Sequence, residues 1–246
     1  VTVLEIVNDD MPFLVDSVLG ELAERGVEIL FVAHPVVSLA RDPGGTLAAF
    51  GDAPSAPGTK VRESFIHIHI GGIEDEARRA EVAQGIAQVL ADVRVCVHDW
   101  RPMIDRIQQV IAGLKNNPSQ LPADEVAETV QFLYWLISNN FTLLGVRNYT
   151  YTAAQDALEP QFETGLGLLR ARDMGALERG GRLVVTPAVR AFIEEPNLLV
   201  VTKSTRRSRV HRHTHLDYVG VKLFDADGKL TGEFVIVGLL TSTAYT

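Results

Sequence analysis

Cysteine is nearly absent from this 246-residue chain, which has Cys96 alone, and long apolar runs are missing. A single cysteine cannot form an internal disulfide, so we expect a reducing compartment. The apolar stretches fall well short of the roughly 18 residues that a membrane-spanning helix needs. No basic segment followed by an apolar one opens the chain, as an export signal would require. These absences predict a cytoplasmic protein that does not contact a membrane.

Positive charge is also scarce, because 23 lysines and arginines stand against 31 aspartates and glutamates, for a net charge of −8. Phosphate contacts depend on positive potential, so nucleic acid is not an expected partner. A local basic run departs from this balance and consists of Lys203, Arg206, Arg207, Arg209 and Arg212. The basic run fits either a site for a phosphate or an acidic partner, or a solvated edge or a salt-bridged interface within a larger protein.

Strand and helix patterns alternate over the first part of the chain. Residues 2–7 are predicted to form a buried strand, and Asp9 or Asp10 to cap the helix that follows. The next patterns are a β-rich stretch at 27–39, an alternating strand at 64–70, an alanine-rich helix at 74–90 and an alternating strand at 93–97. This order predicts a βαββαβ domain, an antiparallel sheet with two helices on one face.

Helices and then strands are predicted for the rest of the chain. Helical spacing recurs at 104–114 and 126–137, on either side of a linker at 115–122. Strand patterns follow at 141–152, 198–202, 218–224 and 233–240, with a hairpin turn at 225–228. The fold class is therefore α+β, with a β-rich tail, and residues 153–197 show no pattern that predicts an element.

Nucleotide-binding motifs are not found in the sequence. The nearest match to the dinucleotide fingerprint is Gly165-Leu-Gly167-Leu-Leu-Arg170, where an arginine replaces the third glycine. We therefore expect this chain to bind no cofactor. Cys96 lies among valines and is interpreted as a packing residue rather than a nucleophile.

Two groups of histidines alternate along the sequence. His211, His213 and His215 would share one strand face, where three imidazoles could meet one Zn²⁺. No cysteine or flanking carboxylate completes that set, so a polar strand face without metal is the competing interpretation. His67 and His69 lie opposite the isoleucines of their strand, and we expect that face to be a half-exposed packing surface.

Motifs spread in order along the chain carry a resemblance to a known family. They are VNDDMPFLVDS at 7–17, ESFIHI at 63–68, FTLLG at 141–145, TKS at 202–204, VHR at 210–212, DYVGVK at 217–222, GE at 232–233 and GLLTS at 238–242. These segments resemble the amino-terminal region of the large bacterial NAD-dependent glutamate dehydrogenases. His213 and His215 are not part of that pattern.

The resemblance implies an ACT-like domain with a trailing helix over residues 1–115. It also implies a helical connector and a β-rich PAS-like domain over 116–246. The whole polypeptide would oxidise L-glutamate to 2-oxoglutarate and ammonia with NAD⁺, which would bind in a catalytic domain further along. This chain would be a catalytically inactive regulatory and assembly segment, with the rest of the polypeptide and further copies of itself as partners.

An amino-acid-sensing ACT module is the alternative function. ACT domains often bind an amino acid at the turn after the first strand, where an Asp-x-Pro-Gly motif lets the ligand approach the backbone. Asp10-Met-Pro12 matches this motif, but Phe13 takes the place of the glycine, and we expect its ring to obstruct that approach. The candidate effector residues are Asn8, Asp10, Phe13 and Leu14.

Overall fold

Two units make up the part of the chain that the computed structural model describes, namely residues 1–51, 59–116, 122–152, 157–172, 197–225 and 227–241. The first unit comprises Val1–Arg94 and Arg209–His213, and the second comprises Val95–Ser208 and Thr214–Thr246. Within the described ranges, no helix combines the length and apolar composition needed to cross a membrane.

The first unit is built on a five-stranded sheet. Its elements are β1 Thr2–Asp9, α1 Leu14–Glu24, β2 Ile29–Ala33, β3 Val36–Arg41, β4 Leu47–Phe50 and β5 Thr59–Ile70, followed by α2 Glu76–His98, which continues past the end of the unit. Strand β5 pairs antiparallel with β1, β2 and β3, and β3 pairs with β4. The strands predicted at 2–7, 27–39 and 64–70 are confirmed, but the prediction that the first of them is buried is wrong, because Val3, Glu5 and Val7 are exposed.

One face of this sheet is buried. Ile66, Ile68 and Ile70 of β5 are at most 1% exposed, as their alternation predicts. Helix α1 contributes the buried residues Leu14 and Val18, which are four positions apart and so lie on the same side of the helix. The opposite sheet face carries partly exposed side chains.

Helix α1 begins without the predicted side-chain cap. Its N-cap is Phe13, which has a φ of 72° and makes no side-chain cap hydrogen bond. Strand β1 continues through Asp9, and the Asp10 N–H donates to the carbonyl of Arg62 at 3.0 Å. Capping by Asp9 or Asp10 was therefore a wrong prediction, because the sheet and its adjoining turn already use that stretch of chain.

Helix α2 extends over the residues predicted to form the last strand of the βαββαβ domain. Val89, Val93 and Cys96 are at most 2% exposed, and their spacing of four and three residues places them on one helical face. The strand prediction at 93–97 is wrong, because this helical period outweighs the short alternation of valines. The described order in the first unit is β-α-β-β-β-β-α.

The second unit contains helices and a six-stranded antiparallel sheet. Its elements after the end of α2 are α3 Trp100–Asn116, α4 Ala123–Trp135, β6 Phe141–Thr152, β7 Ala157–Pro160, β8 Leu166–Gly167, β9 Leu199–Arg207, β10 His215–Phe224 and β11 Leu230–Leu240. The sheet order is β7-β6-β11-β10-β9, and β8 also pairs with β6. The helices and strands predicted for this half are confirmed where they are described.

Helices α3 and α4 share a core with the second sheet. Met103, Ile107 and Leu133 from the helices cluster with Val221 and Ile236 from the strands, all at most 1% exposed. Helix α3 is thus part of the second unit, whereas the predicted division at 115/116 assigns it to the first. Residues 117–121 of the linker predicted at 115–122 lie outside the described residues, as do residues 153–156 and 173–196.

Candidate functional site

The turn between β1 and α1 contains the residues predicted to bind an effector. A cavity of about 250 Å³ is lined by residues 11–16 and His34. Phe13 and Leu14 are therefore at the cavity, while Asn8 and Asp10 are not among its lining residues. The structure brings together only part of the predicted group.

Phe13 adopts a backbone conformation that glycine favours. Its φ of 72° lies in the left-handed region, where a side chain is strained. Its carbonyl accepts the Ser17 N–H at 3.1 Å and the Ser17 hydroxyl at 2.5 Å. Its ring lies 5.0 Å from that of His211. The position where the resemblance expects glycine is thus glycine-like in backbone geometry but carries a phenyl ring.

Asn8 and Asp10 are engaged with arginines. The Asn8 side chain is buried, and its Oδ1 accepts from Arg94. No described residue hydrogen-bonds the Asn8 Nδ2 atom. The Asp10 carboxylate lies 3.2 Å from Nη2 of Arg62.

The exposed sheet face of the first unit consists of Val3, Glu5, Val7, Phe31, His67 and His69. Val3, His69 and Phe31 form one row across three strands, because His69 pairs with both Val3 and Phe31. The Nε2 atoms of His67 and His69 are 2.9 Å apart. Nδ1 of His67 is 3.2 Å from a Glu5 carboxylate oxygen.

Three of the six side chains on this exposed sheet face are apolar. Val3, Val7 and Phe31 are 47%, 54% and 51% exposed. The predicted half-exposed character of the His67 and His69 face agrees with this geometry. A group of exposed apolar side chains on one sheet face is a feature of interaction surfaces.

The basic run is divided between the two units. Lys203, Arg206 and Arg207 lie on β9 of the second unit, whereas Arg209 and Arg212 belong to the first. Nζ of Lys203 is 2.5 Å from the Asp217 carboxylate, which is buried. At least this cation therefore has a structural partner within the sheet.

The three alternating histidines lie in different surroundings. His211 and His213 belong to a segment of the first unit that is not a strand, and His211 has a φ of 65°. His215 begins β10 of the second unit, where its Nδ1 lies 3.1 Å from the Ser204 carbonyl oxygen. His213 instead lies beside two carboxylates of α1, Glu21 and Glu24.

A buried ion pair in the second unit was missed by the sequence reasoning. Asp99 is fully buried, and its carboxylate accepts from Arg170, including a 2.7 Å bond from Nη2, from the Gly167 N–H at 2.8 Å and from Nδ1 of His98 at 3.0 Å. Burial alone would raise the pKa of Asp99, but these hydrogen bonds outweigh it and lower the pKa to about 2.

Gly165 and Gly167, the two glycines of the incomplete dinucleotide motif, allow close packing of the backbone near Asp99. Gly167 has a φ of 60°, and a Cβ there would overlap the carbonyl oxygen of Leu144. A Cβ on Gly165 would overlap the carbonyl oxygen of Leu169. The two glycines therefore allow backbone segments to approach each other closely. Arg170, which replaces the third glycine of the motif, binds the Asp99 carboxylate.

A second buried polar cluster lies on β10 and β11. Burial raises the pKa of Glu233 to about 7, against the hydrogen bond from Tyr218 and the charge of Lys222, which lower it. Burial also raises the pKa of Tyr218. Gly220 leaves space for the Glu233 carboxylate, because a Cβ at position 220 would overlap it. Lys222 and Glu233 belong to the DYVGVK and GE motifs, which was the one signal in the sequence that pointed to them.

Two further features of the second unit are a buried cysteine and a cavity. Cys96 is buried and its thiol lies 3.3 Å from the Leu144 carbonyl oxygen, consistent with a packing role. A cavity of about 380 Å³ is lined by α3, around Arg106 and Val110, and by strand residues that include Asn148 and Lys222. Nothing in the sequence pattern pointed to this cavity.

Comparison with known proteins shows what this chain is similar to. Residues 1–86 match the family model for the glutamate dehydrogenase ACT1 domain. The chain is 32% identical over 246 residues to an NAD-specific glutamate dehydrogenase of Pseudomonas aeruginosa and 30% identical over 247 residues to one of Halomonas elongata. Each match covers 99% of this chain. The chain is therefore similar to the amino-terminal, ACT-containing region of the NAD-specific glutamate dehydrogenases.

The relatives are much longer than this chain. It spans 15% of the length of the Pseudomonas and Halomonas proteins. An NAD-specific glutamate dehydrogenase of Mycobacterium tuberculosis is 27% identical over 172 residues, which is 69% of this chain and 10% of that protein. The resemblance inferred from the motifs is thereby confirmed.

Proposed function

We propose that this chain is a non-catalytic regulatory and assembly segment of an NAD-dependent glutamate dehydrogenase. The observation that carries the proposal is the similarity over 99% of this chain to proteins of which it spans 15%. The whole protein would convert L-glutamate, NAD⁺ and water to 2-oxoglutarate, ammonia and NADH. NAD would bind in the remainder of the polypeptide, in the cytoplasm.

The first unit supplies the ACT-like part of this proposal, since the family model covers residues 1–86. For the second unit we propose a PAS-like domain preceded by helices. The support is its six-stranded antiparallel sheet with α3 and α4 packed in the same core. The buried Asp99–Arg170 and Glu233–Tyr218 groups are then internal supports of the sheet rather than catalytic groups.

Assembly is supported by the exposed sheet face. Phe31, Val3 and Val7 leave about half of each side chain in water. Burial of apolar surface contributes roughly 25 cal/mol per Å², so a second copy of the chain packed on this face would be stabilised. The proposed partners are accordingly the rest of the polypeptide and further copies of this chain.

The non-catalytic part of the proposal is tested by absorbance at 340 nm. Purified chain mixed with L-glutamate and NAD⁺ is expected to form no NADH above a blank without glutamate. Formation of NADH at a rate proportional to chain concentration would contradict the proposal.

A second candidate function is amino-acid sensing at the β1–α1 turn. The observation in its favour is the cavity of about 250 Å³ beside Phe13 and Leu14. An amino acid at 100 times its Kd would stabilise the chain by about 2.7 kcal/mol, which a thermal-shift panel would detect. Sensing predicts a selective shift that Phe13→Gly alters. No shift across the panel, or a shift that Phe13→Gly leaves unchanged, would count against this turn as a sensor.

A further inference from the structure

We propose that Glu21, Glu24 and His213 form a binding site for a divalent metal ion of the zinc type. One potential ligand atom from each residue lies within 4.8 Å of the others. The site is distinct from the alternating histidine set, because only His213 is common to both. It does not depend on the proposed function.

Helix α1 presents both carboxylates from its last turn. Glu21 and Glu24 are three positions apart, so they project from the same side of the helix. Glu21 is 4% exposed and Glu24 is more open, with 37% of its side chain exposed. The pair therefore combines one buried and one accessible oxygen ligand.

His213 reaches the carboxylates from a segment distant in sequence. The Arg209–His213 segment belongs to the first unit, and its imidazole at 213 is 8% exposed. Nδ1 of His213 lies 3.1 Å from a carboxylate oxygen of Glu24. The segment is also fixed to α1 by His211, whose N–H donates to the Ser17 hydroxyl at 2.9 Å.

Two glycines make room for the cluster. A Cβ at Gly20 would overlap the imidazole ring of His213, so the ring lies directly on the helix backbone. A Cβ at Gly85 would come within 2.5 Å of Oε1 of Glu21. Bare backbone on both sides lets the ligands approach each other closely.

The charge balance suits a divalent cation. Arg25 donates to Oε1 of Glu21 at 2.7 Å and to Glu81 at 2.8 Å. The second oxygen of Glu21 is therefore the one we assign to the metal. Glu81 is also bound by Arg78 at 2.6 Å, so Glu21, Glu24 and Glu81 together carry one more charge than Arg25 and Arg78, and a dication would reverse that excess.

The donor set identifies the class of ion. Imidazole nitrogen with carboxylate oxygen is a zinc-type ligand set, at about 2.0–2.2 Å from the ion. Tetrahedral ligands at that length are roughly 3.4 Å apart, so small movements of the side chains would close the site. Three protein ligands would leave one coordination position for water. The bound ion would tie the Arg209–His213 segment to α1.

The test uses the whole 246-residue chain after treatment with a chelator. Zn²⁺ titration by calorimetry and Co²⁺ absorption spectra are expected to show one ion bound per chain. His213→Ala and Glu24→Gln should each weaken binding by at least roughly tenfold. The matched control, His215→Ala, should leave it unchanged, because His215 is outside the cluster.

Each contrary result has a definite meaning. Absence of stoichiometric Zn²⁺ or Co²⁺ binding would overturn the proposal and leave a His213–Glu24 ion pair. So would binding that His67→Ala or His215→Ala removes, or binding that survives both His213→Ala and Glu24→Gln. Because Glu24 is partly exposed, Glu24→Gln is expected to fold, and circular dichroism of each variant checks this.

Discussion

Substitution of Asp99 by asparagine would test the buried ion pair at the start of α3. The pKa of Asp99 is lowered from 3.8 to about 2, because hydrogen bonds from Arg170, Gly167 and His98 outweigh burial. That shift corresponds to about 2 kcal/mol of stability at neutral pH. Because the folded-state pKa is the lower one, this contribution is present above about pH 4 and lost as the pH falls through about 2.

Asparagine keeps the shape of the side chain but places an amide NH₂ against the Arg170 guanidinium. Two donors then face each other, while Arg170 is half exposed and can turn toward water. We expect a loss of about 2 to 3 kcal/mol, at the lower end for broken buried pairs. The melting temperature of the second unit should fall by roughly 4–12 °C.

Differential scanning calorimetry between pH 2 and pH 7 measures both effects, with Asp105→Asn as the matched control. Asp105 is an exposed carboxylate on the same helix, α3, so its loss should change stability by less than about 0.5 kcal/mol. Comparison with wild type isolates the Asp99 contribution from other acid titrations. A stability of Asp99→Asn within about 0.5 kcal/mol of wild type at pH 7 would refute the reasoning, as would an undiminished decline in acid.

Two further predictions concern the second unit. Gly167→Ala should lower the free energy of unfolding, measured in urea, by more than about 2 kcal/mol, because the φ of Gly167 is 60° and a Cβ would overlap the Leu144 carbonyl oxygen. The control Gly113→Ala, in open space on α3, should raise it by roughly 0.5–1 kcal/mol. Equal effects of the two substitutions would contradict this packing argument. The raised pKa of Glu233, about 7, gives stability that is full below its ordinary value of 4.5 and lost as the pH rises through 7. Glu233→Gln should therefore flatten the stability difference between pH 5 and pH 8 in urea unfolding, and an unchanged slope would refute this.

Long periodic segments were predictable from sequence because the burial of one face imposes a regular spacing of apolar residues on the strand or helix. The alternation of Ile66, Ile68 and Ile70 identified β5, and the strand predicted at 141–152 matches β6. The strand prediction at 93–97 was wrong because the alternation of Val93, Val95 and Val97 covers only five residues, whereas the helical period of buried residues runs back to Val82. The start of α1 misled as well, since Phe13 adopts an unfavourable φ that no residue preference indicates.

The sites depended on contacts that no local pattern encodes. His211 lies 3.1 Å from Asp16 although 195 positions separate them, and His213 reaches Glu24 in the same way. Local spacing grouped these histidines with His215, which the fold places in the other unit. Asp99 and Arg170 are likewise brought together only by the fold, so their ion pair could not be predicted from the sequence around either residue.

Self-association through the exposed sheet face is the most direct test of the proposed assembly role. Sedimentation velocity over a range of concentrations would compare wild type, Phe31→Glu and the control Tyr134→Glu, which alters an exposed aromatic side chain on α4 of the second unit. The account predicts a species heavier than the 26.9 kDa monomer, which Phe31→Glu dissociates and Tyr134→Glu leaves intact. A wild-type chain that stays monomeric at every concentration, or equal effects of the two substitutions, would contradict it.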